Sequence, residues 1–447
     1  MFRKVLIANR GEIALRIQRA CRDLGIATVA VHSTADTDSM HVRLADESVC
    51  IGPPASRDSY LNKAALLTAA SIADVDAIHP GLGFLSENAG FAAMVEEHGF
   101  TFIGPTPEHI AMMGDKITAK RTAKEAGVPV VPGTDGPVQS DGEAIRLAHE
   151  IGFPVLIKAA GGGGGKGMQL AQGPEDLERA LSMAKREAQA NFGNDSVYLE
   201  RYLYRPRHIE VQILADNHGN VVHLGERDCS LQRRYQKVVE EAPSPALTPE
   251  QRASIGEIAA NAVRRIGYRG VGTMEFLYTG GEFFFIEMNT RIQVEHPITE
   301  AITGIDLVRE QIRVAAGEPL GYSQSDIHFS GHAIECRVNA EHARTFVPSP
   351  GRVSGYHPPG GIGVRIDSHL YAGCVVPPHY DSMVSKLIVH GRDRAMCMQR
   401  LRRALGEYVI DGIETNLDLH RRIVTAPDFA AGDYDIHWLE RWMAEQD

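Results

Sequence analysis

Between Glu287 and Glu295 every second residue is polar or charged: Glu287, Asn289, Arg291, Gln293 and Glu295. Met288, Thr290, Ile292 and Val294 take the places between. Alternate side chains of an extended chain share one face. At roughly 3.3 Å per residue, these five groups would span about 27 Å of a single face. A plain exposed strand favours Thr, Lys and Ser, so this row reads as a set of catalytic groups. The hairpin before it, GTMEFLYTGGEFFFIEMN, supplies one more acid. With Gly281 at the centre of the turn, Leu277 faces Phe285, Phe276 faces Ile286 and Glu275 faces Glu287. Opposed carboxylates repel unless something positive lies between them. Asn289, two residues on, falls on the same face. Two carboxylates and an amide oxygen make a hard donor set for Mg²⁺ or Mn²⁺, with positions left for water and nucleotide phosphates. A bulge would shift this register by one residue.

A second chemical feature is the run Gly161 to Gly165, followed by Lys166 and Gly167. It is not a Walker A loop. Ala160 stands where that motif has its first glycine, and Gly167 where it has Ser or Thr. Ordering five glycines costs much entropy, and Lys158 and Lys166 flank a backbone able to form an anion-binding nest. The expectation is a flap over a triphosphate. Arg207 to Ile213 reads as a strand with His208, Glu210 and Gln212 on one face. Residues 226–245, ERDCSLQRRYQKVVEEAPSP, concentrate charge around Lys237.

These groups need a scaffold, and the first hundred residues show one kind. Val5 to Ala8, Thr28 to Val31, Val75 to Ile78 and Phe100 to Ile103 read as buried strands separated by helical patterns, including a stripe of Ile13, Ile17 and Ala20. Strands alternating with helices imply a parallel, Rossmann-like sheet. The turn at Gly11 lacks G-x-G-x-x-G, and Ser86 ends Gly81-Leu82-Gly83-Phe84-Leu85-Ser86 where a third glycine belongs, so NAD is disfavoured. The segment 128–137, VPVVPGTDGP, marks a domain edge. After it come a strand at Val155 to Lys158, a helix near 175–191 and a strand at Val197 to Glu200. The remainder is strand-rich at first and mixed afterwards.

The chain has 447 residues, with 46 basic and 57 acidic side chains and a formal charge of −11. That length predicts about three domains. Its 43% hydrophobic and 23% charged content is ordinary globular composition. The acidic balance argues against a protein that grips nucleic acid by bulk charge. Cys21, Cys50, Cys229, Cys336, Cys374 and Cys397 form no C-x-x-C pair and no zinc spacing. The N-terminus shows no secretory h-region, and no apolar run approaches the ~20 residues of a membrane span. The expectation is a soluble cytoplasmic protein with reduced thiols and no membrane or nucleic-acid partner.

The motifs IANRGEIA, HPGLGFLSEN, KAAGGGGGKGM, ERDCSLQRR, QKVVEEAP, FIEMNTRIQVEHP and IECRVNAE lie along the whole chain. Together they resemble the biotin carboxylase subunits of bacterial acetyl-CoA carboxylases. The resemblance implies a mixed α/β chain with an ATP-grasp fold. It would comprise a Rossmann-like N-terminal domain (1–114), an ATP-grasp linker and lid (115–203), an ATP-grasp catalytic half (204–334) and a C-terminal region (335–447). It implies ATP- and bicarbonate-dependent carboxylation of biotin through carboxyphosphate, with Mg²⁺ or Mn²⁺ as cofactor. Lys116, Lys158, Gly164 and Gly165 would hold the ATP phosphates, and Glu200, Arg201, Tyr202 and Leu203 would border the adenine. His208 would contact the ribose, with Gln232 and Tyr235 beside the nucleotide. Glu275, Glu287 and Asn289 would bind metal. Lys237, Arg291, Gln293 and Val294 would cradle bicarbonate, Glu295 would be its base, and Arg337 would face the ureido oxygen of biotin.

No Met-Lys-Met biotin-attachment sequence occurs here. The resemblance therefore implies biotin carried on a separate biotin carboxyl carrier protein, with carboxyltransferase subunits as further partners. A homodimer is also implied, with Arg19 and Arg365 in stretches like the family's dimer surface. Two residues depart from the family pattern. Tyr235 stands where histidine is common, which points to altered nucleotide affinity, and Leu82 replaces a tyrosine near biotin. Competing expectations are a carbamoyl-phosphate synthase half, a non-catalytic nucleotide-binding regulator and, least of all, an NAD-dependent oxidoreductase.

Overall fold

The computed structural model describes residues 1–134, 136–160 and 168–446. The run Gly161–Gly167, with Gly164 and Gly165, lies outside the described residues. The apolar runs of the first hundred residues form five parallel strands in the order Glu47–Gly52, Ala27–Ser33, Lys4–Ile7, Ala77–His79, Thr101–Phe102. The first of these departs from the sequence expectation: three of its six residues, Glu47, Ser48 and Cys50, are exposed at the sheet edge. Helix Gly11–Asp23 buries the expected stripe of Ile13, Ile17 and Ala20. Strand order reverses between Lys4–Ile7 and Ala77–His79, where the loops after two neighbouring strands part and leave a crevice. Asn9 ties those loops together, its Nδ2 donating to Pro80 O at 2.8 Å and Leu82 O at 2.7 Å. Gly81 has φ +66°, and a Cβ there would sit 2.8 Å from Asn9 Nδ2, so the tie requires glycine.

A smaller unit pairs strands Met168–Ala171, Val155–Ala159 and Val197–Arg201 antiparallel. Helices Asp141–Ile151 and Pro174–Phe192 bury Ala144, Ala148, Leu177, Leu181 and Ala184 against Val155, Ile157 and Leu199.

The third assembly is an eight-stranded antiparallel sheet. Its order is Glu282–Asn289, Gly270–Thr279, Arg207–Ala215, Val221–Arg233, Gln236–Ala242, His332–Asn339, Met383–Gly391, Val364–Ser368. The sheet runs through residue 335 without a break, Val239 pairing with Cys336 and Glu240 with Glu335. Among the described residues, no helix is long and apolar enough to cross a membrane.

The hairpin differs from expectation in an instructive way. Its turn is the pair Gly280-Gly281, with φ of +59° and +86°, the left-handed conformation a two-residue hairpin loop needs. Phe276 therefore faces Phe285 and Leu277 faces Phe284, one residue off the sequence expectation. A bulge at Ile286 then shifts the register, and Glu275 does face Glu287. The row from 287 to 295 is a larger correction. The strand ends at Asn289, and Glu295 stands immediately before helix His296–Thr303 with φ −82° and ψ 10°. The five side chains are gathered by a strand end, a loop and a helix start, and not by one extended strand.

Candidate active site

A cavity of about 1480 Å³ opens between the parallel sheet, the small unit and the large sheet. Its walls carry Lys116, Lys158, Glu200, Arg201, Tyr202, Leu203, His208, Gln232, Tyr235, Lys237, Glu275, Glu287, Asn289, Arg291, Gln293, Val294 and Arg337. Glu295 lies just behind that wall, fully buried, in contact with Lys237 and Arg337.

One end of the cavity pairs charge with an apolar slot. Lys158 Nζ donates to Glu200 Oε2 at 2.5 Å and Lys120 Nζ to Oε1 at 2.9 Å. Burial alone would raise the Glu200 pKa, but the two ammonium groups outweigh it and hold the carboxyl below its ordinary range. Val131, Leu203 and Phe284 pack together beside it. This suits a flat heteroaromatic ring next to a polyanion. Tyr235 stands at a hairpin tip with φ +64° and 49% exposure, free to lie over a ligand. Leu82 lines the cavity at the strand-order crevice.

The centre is a network of buried ions. Lys237 Nζ reaches Glu210 Oε2 at 2.6 Å, Glu295 Oε1 at 2.7 Å and Glu275 Oε1 at 3.0 Å. Burial would lower the lysine's pKa, yet three carboxylates hold it well above the ordinary value, so it is a fixed cation. Glu275 Oε1 also accepts from Asn289 Nδ2 at 2.9 Å and Gln293 Nε2 at 3.1 Å, and Oε2 lies 3.1 Å from His208 Nε2. Gln232 Nε2 sits 3.0 Å from His208 Nδ1, which orients that ring. The expected face of His208, Glu210 and Gln212 is therefore real. Glu210 and Gln212 also accept from fully buried Arg227.

Glu295 is clamped on both oxygens, by Lys237 and by Arg337 Nη2 at 2.8 Å. Burial works to raise its pKa, but Lys237, Arg337 and Arg227 hold it well below the ordinary value. Arg337 also donates from Nε to buried Glu240 at 2.5 Å. Arg291 donates from Nη2 to Asn289 Oδ1 at 2.9 Å and from Nη1 to Gln293 Oε1 at 2.9 Å. Val294 O accepts from the fully buried Lys386 Nζ at 2.8 Å.

For a metal, Glu275 faces Glu287 and Thr273 faces Asn289 on the hairpin, and all three candidate ligands line the cavity. Burial and the opposing Glu275 carboxylate push the Glu287 pKa up. That is the strain a divalent cation between two acids relieves, so the donor set fits Mg²⁺ or Mn²⁺. Other convergent sets among the described residues are His208–Glu210–Glu275 and Glu210–Cys229–Glu295. Lys237 already occupies both sets as an ammonium partner.

Several site residues escaped the sequence reading. Lys120 follows Lys116 by one helical turn in Lys116–Glu125, and that spacing was a usable signal. Glu240 and Lys386, reached only through distant pairings, carried no such signal.

Comparison with known proteins covers nearly the whole chain. Residues 1–110 match the family model for the biotin carboxylase N-terminal domain. Residues 115–323 match that for the ATP-binding domain of the carbamoyl-phosphate synthase L chain, and 335–441 that for the biotin carboxylase C-terminal domain. The biotin carboxylase of Haemophilus influenzae is 60% identical over 99% of both chains. That of Pseudomonas aeruginosa is 56% identical over 99% of this chain and 98% of its own. A Campylobacter jejuni biotin carboxylase solved with a β,γ-ATP ligand superposes with a TM-score of 0.94 at 47% identity, covering 99% of each chain. The biotin carboxylase domain dimer of Hydrogenobacter thermophilus 2-oxoglutarate carboxylase was solved with MgADP, ADP and bicarbonate. It superposes with a TM-score of 0.93 at 49% identity, covering 100% of this chain and 99% of that one.

Proposed function

The chain belongs to the biotin carboxylase family, and from that membership we propose how its residues divide the work and what it assembles with. Its reaction is the ATP-dependent carboxylation of biotin, the first half-reaction of a biotin-dependent carboxylase, with Mg²⁺ as cofactor.

The apolar slot of Val131, Leu203 and Phe284 takes the adenine, bordered by Glu200 to Leu203. Lys116 and Lys158, with Gly164 and Gly165 of the glycine run, take the phosphates. His208, oriented by Gln232, meets the ribose. Glu275, Glu287 and Asn289 hold the divalent cation, which neutralises charge on the phosphoryl oxygens. Bicarbonate, a poor nucleophile, is aligned by Lys237, Arg291, Gln293 and the Val294 backbone, so that attack on the γ-phosphate becomes an intramolecular matter of geometry.

Glu295 is the general base, and its clamps explain its timing. With Lys237 and Arg337 both on its carboxylate, it is too weakly basic to take a proton near neutral pH. When Lys237 turns to bicarbonate and Arg337 to the biotin ureido oxygen, the carboxylate loses both cations and its pKa rises. Carboxyphosphate then yields CO₂ and phosphate, and that phosphate deprotonates biotin N1. Arg337 stabilises the ureido oxyanion.

The observation that carries this reading is the buried Glu295 carboxylate held between Lys237 and Arg337 beside the cavity wall. Glu295→Gln should abolish bicarbonate-dependent ATP cleavage while ATP still binds. An unchanged ATPase rate would refute the role.

We infer that biotin arrives on a separate biotin carboxyl carrier protein and that carboxyltransferase subunits complete the complex. We also infer a homodimer through the surface where Arg19 and Arg365 meet at Asp367, 3.6 Å and 2.7 Å away. All six thiols are unpaired, in keeping with a reducing cytoplasm.

A further inference from the structure

Arg291 is gripped from outside its own loop by a carboxylate 204 positions away in sequence. Glu87 Oε2 accepts from Arg291 Nε at 2.8 Å, and Glu87 Oε1 accepts from the Thr290 backbone N–H at 3.1 Å. One carboxylate thus fixes both the backbone just before Arg291 and the direction in which its side chain leaves. The other acceptors around the guanidinium are Asn289 Oδ1, Gln293 Oε1 and the Ile292 carbonyl, all neutral and all in the same loop. Among the described residues, Glu87 is the one charged side chain that pairs with Arg291. It belongs to the parallel-sheet unit, on the loop after strand Ala77–His79.

The consequence follows from where the other nitrogens point. Arg291 Nη2 touches a metal-ligand candidate and Nη1 touches a bicarbonate-site candidate. A guanidinium is a rigid planar fork, so fixing Nε fixes both. Without Glu87 the fork can rotate about its stem, and both contacts drift together. Glu87 does not line the cavity, so it acts through Arg291 and not on substrate.

We propose that Glu87 is a positioning residue that sets the Arg291 guanidinium for bicarbonate and ties the parallel-sheet unit to the bicarbonate loop. The proposal rests on the assignment of Arg291 to bicarbonate given above.

The test measures KM for bicarbonate, KM for ATP and kcat for Glu87→Gln, Arg291→Lys and the double variant, in the full-length protein. The Glu87 side chain is 39% exposed, so glutamine is accommodated and the melting temperature should not move. A half-exposed charge-assisted bond lost from a positioning role should raise the bicarbonate KM of Glu87→Gln about threefold to fivefold. Its kcat at saturating bicarbonate should stay within about twofold and its ATP KM should be unchanged, since the contact shapes one subsite. The double variant should be no worse than Arg291→Lys alone. If Arg291→Lys raises the bicarbonate KM and Glu87→Gln does not, the positioning role is overturned while the bicarbonate assignment stands. If neither raises it, the assignment itself has failed. Additive effects, or a fall in melting temperature with all constants changed together, would make Glu87 independent of Arg291 or merely structural, and either overturns the proposal.

Discussion

The clamp on Glu295 makes a quantitative prediction about Arg337. Arg337 Nη2 lies 2.8 Å from Glu295 Oε2, with the arginine side chain 18% exposed and the glutamate not at all. Taking ~4 Å between charge centres and an effective dielectric near 20, the attraction is about 4 kcal/mol. That attraction is the ceiling on how strongly losing Arg337 can raise the Glu295 pKa. Lys237 stays in place and the vacated volume admits water, so the pKa should rise by less than that ceiling. Removing Arg337 alone would strand Glu240, whose carboxylate it also holds, so the perturbation is Arg337→Met with Glu240→Gln. The assay is biotin-independent, bicarbonate-dependent ATP hydrolysis as a function of pH, which separates the effect on Glu295 from the role of Arg337 toward biotin. In the native protein Glu295 is ionised across the working range, so it contributes no acid limb. In the variant the folded pKa is higher, and activity should fall as pH drops through that raised value. Hydrolysis at high pH should persist and biotin-stimulated turnover should be lost. A variant profile that matches the native one at acid pH would refute the idea that Arg337 suppresses the basicity of Glu295.

Two other outcomes follow from the same geometry. Glu287→Gln should raise the metal concentration for half-maximal activity, because one of the two facing carboxylates is gone; an unshifted metal titration removes Glu287 from the site. Outside the cavity lining, buried Glu241 accepts from His332 Nε2 at 2.6 Å and Arg394 Nε at 2.7 Å, and these partners overcome burial to bring its pKa from 4.5 to about 2. A depressed carboxyl stabilises the fold above its unfolded value and loses that contribution as pH falls toward the folded one, here worth roughly 3 kcal/mol. Glu241→Gln should therefore be less stable by about that amount in urea at pH 7, with the gap closing toward pH 3; a gap that does not depend on pH would contradict it.

How much of this was legible in sequence depends on the range of each contact. The parallel strands and the facing of Glu275 with Glu287 were readable because period and turn are local. Even there, the turn sits half a residue from where Gly281 alone would put it, and the bulge at Ile286 restores the acid pair. The row from 287 to 295 was readable as chemistry but misread as geometry. Alternation says which groups are polar, and it cannot say that the chain leaves the sheet at Asn289 and turns into a helix at His296. Lys120 was recoverable from helical spacing. Glu87, Glu240 and Lys386 were not, because each reaches its site partner across 204, 97 and 92 positions, and nothing local marks such a pairing. The sheet that runs through residue 335 is similar: the strands on its two sides are each visible, but their pairing is a tertiary fact.

The site binds anions, yet its buried cations are already matched by acids: Lys237 with Glu210, Glu275 and Glu295, Arg337 with Glu240 and Glu295, Arg227 with Glu210. The reason is physical. A desolvated lysine or arginine waiting unpaired would cost the fold several kcal/mol, so internal carboxylates stand in for the substrate until it arrives. Under the proposed assignment of Lys237 to bicarbonate, that anion would compete with Glu295 for the lysine, which would limit affinity. The same competition would remove a cation from Glu295 at the moment the proposed base is needed beside the newly bound proton. On that proposal the stand-in and the base would be one residue, strengthened only when there is something to deprotonate. That would give a reason for burying Glu295 between two cations, a placement that holds its pKa down and would otherwise make it a poor base.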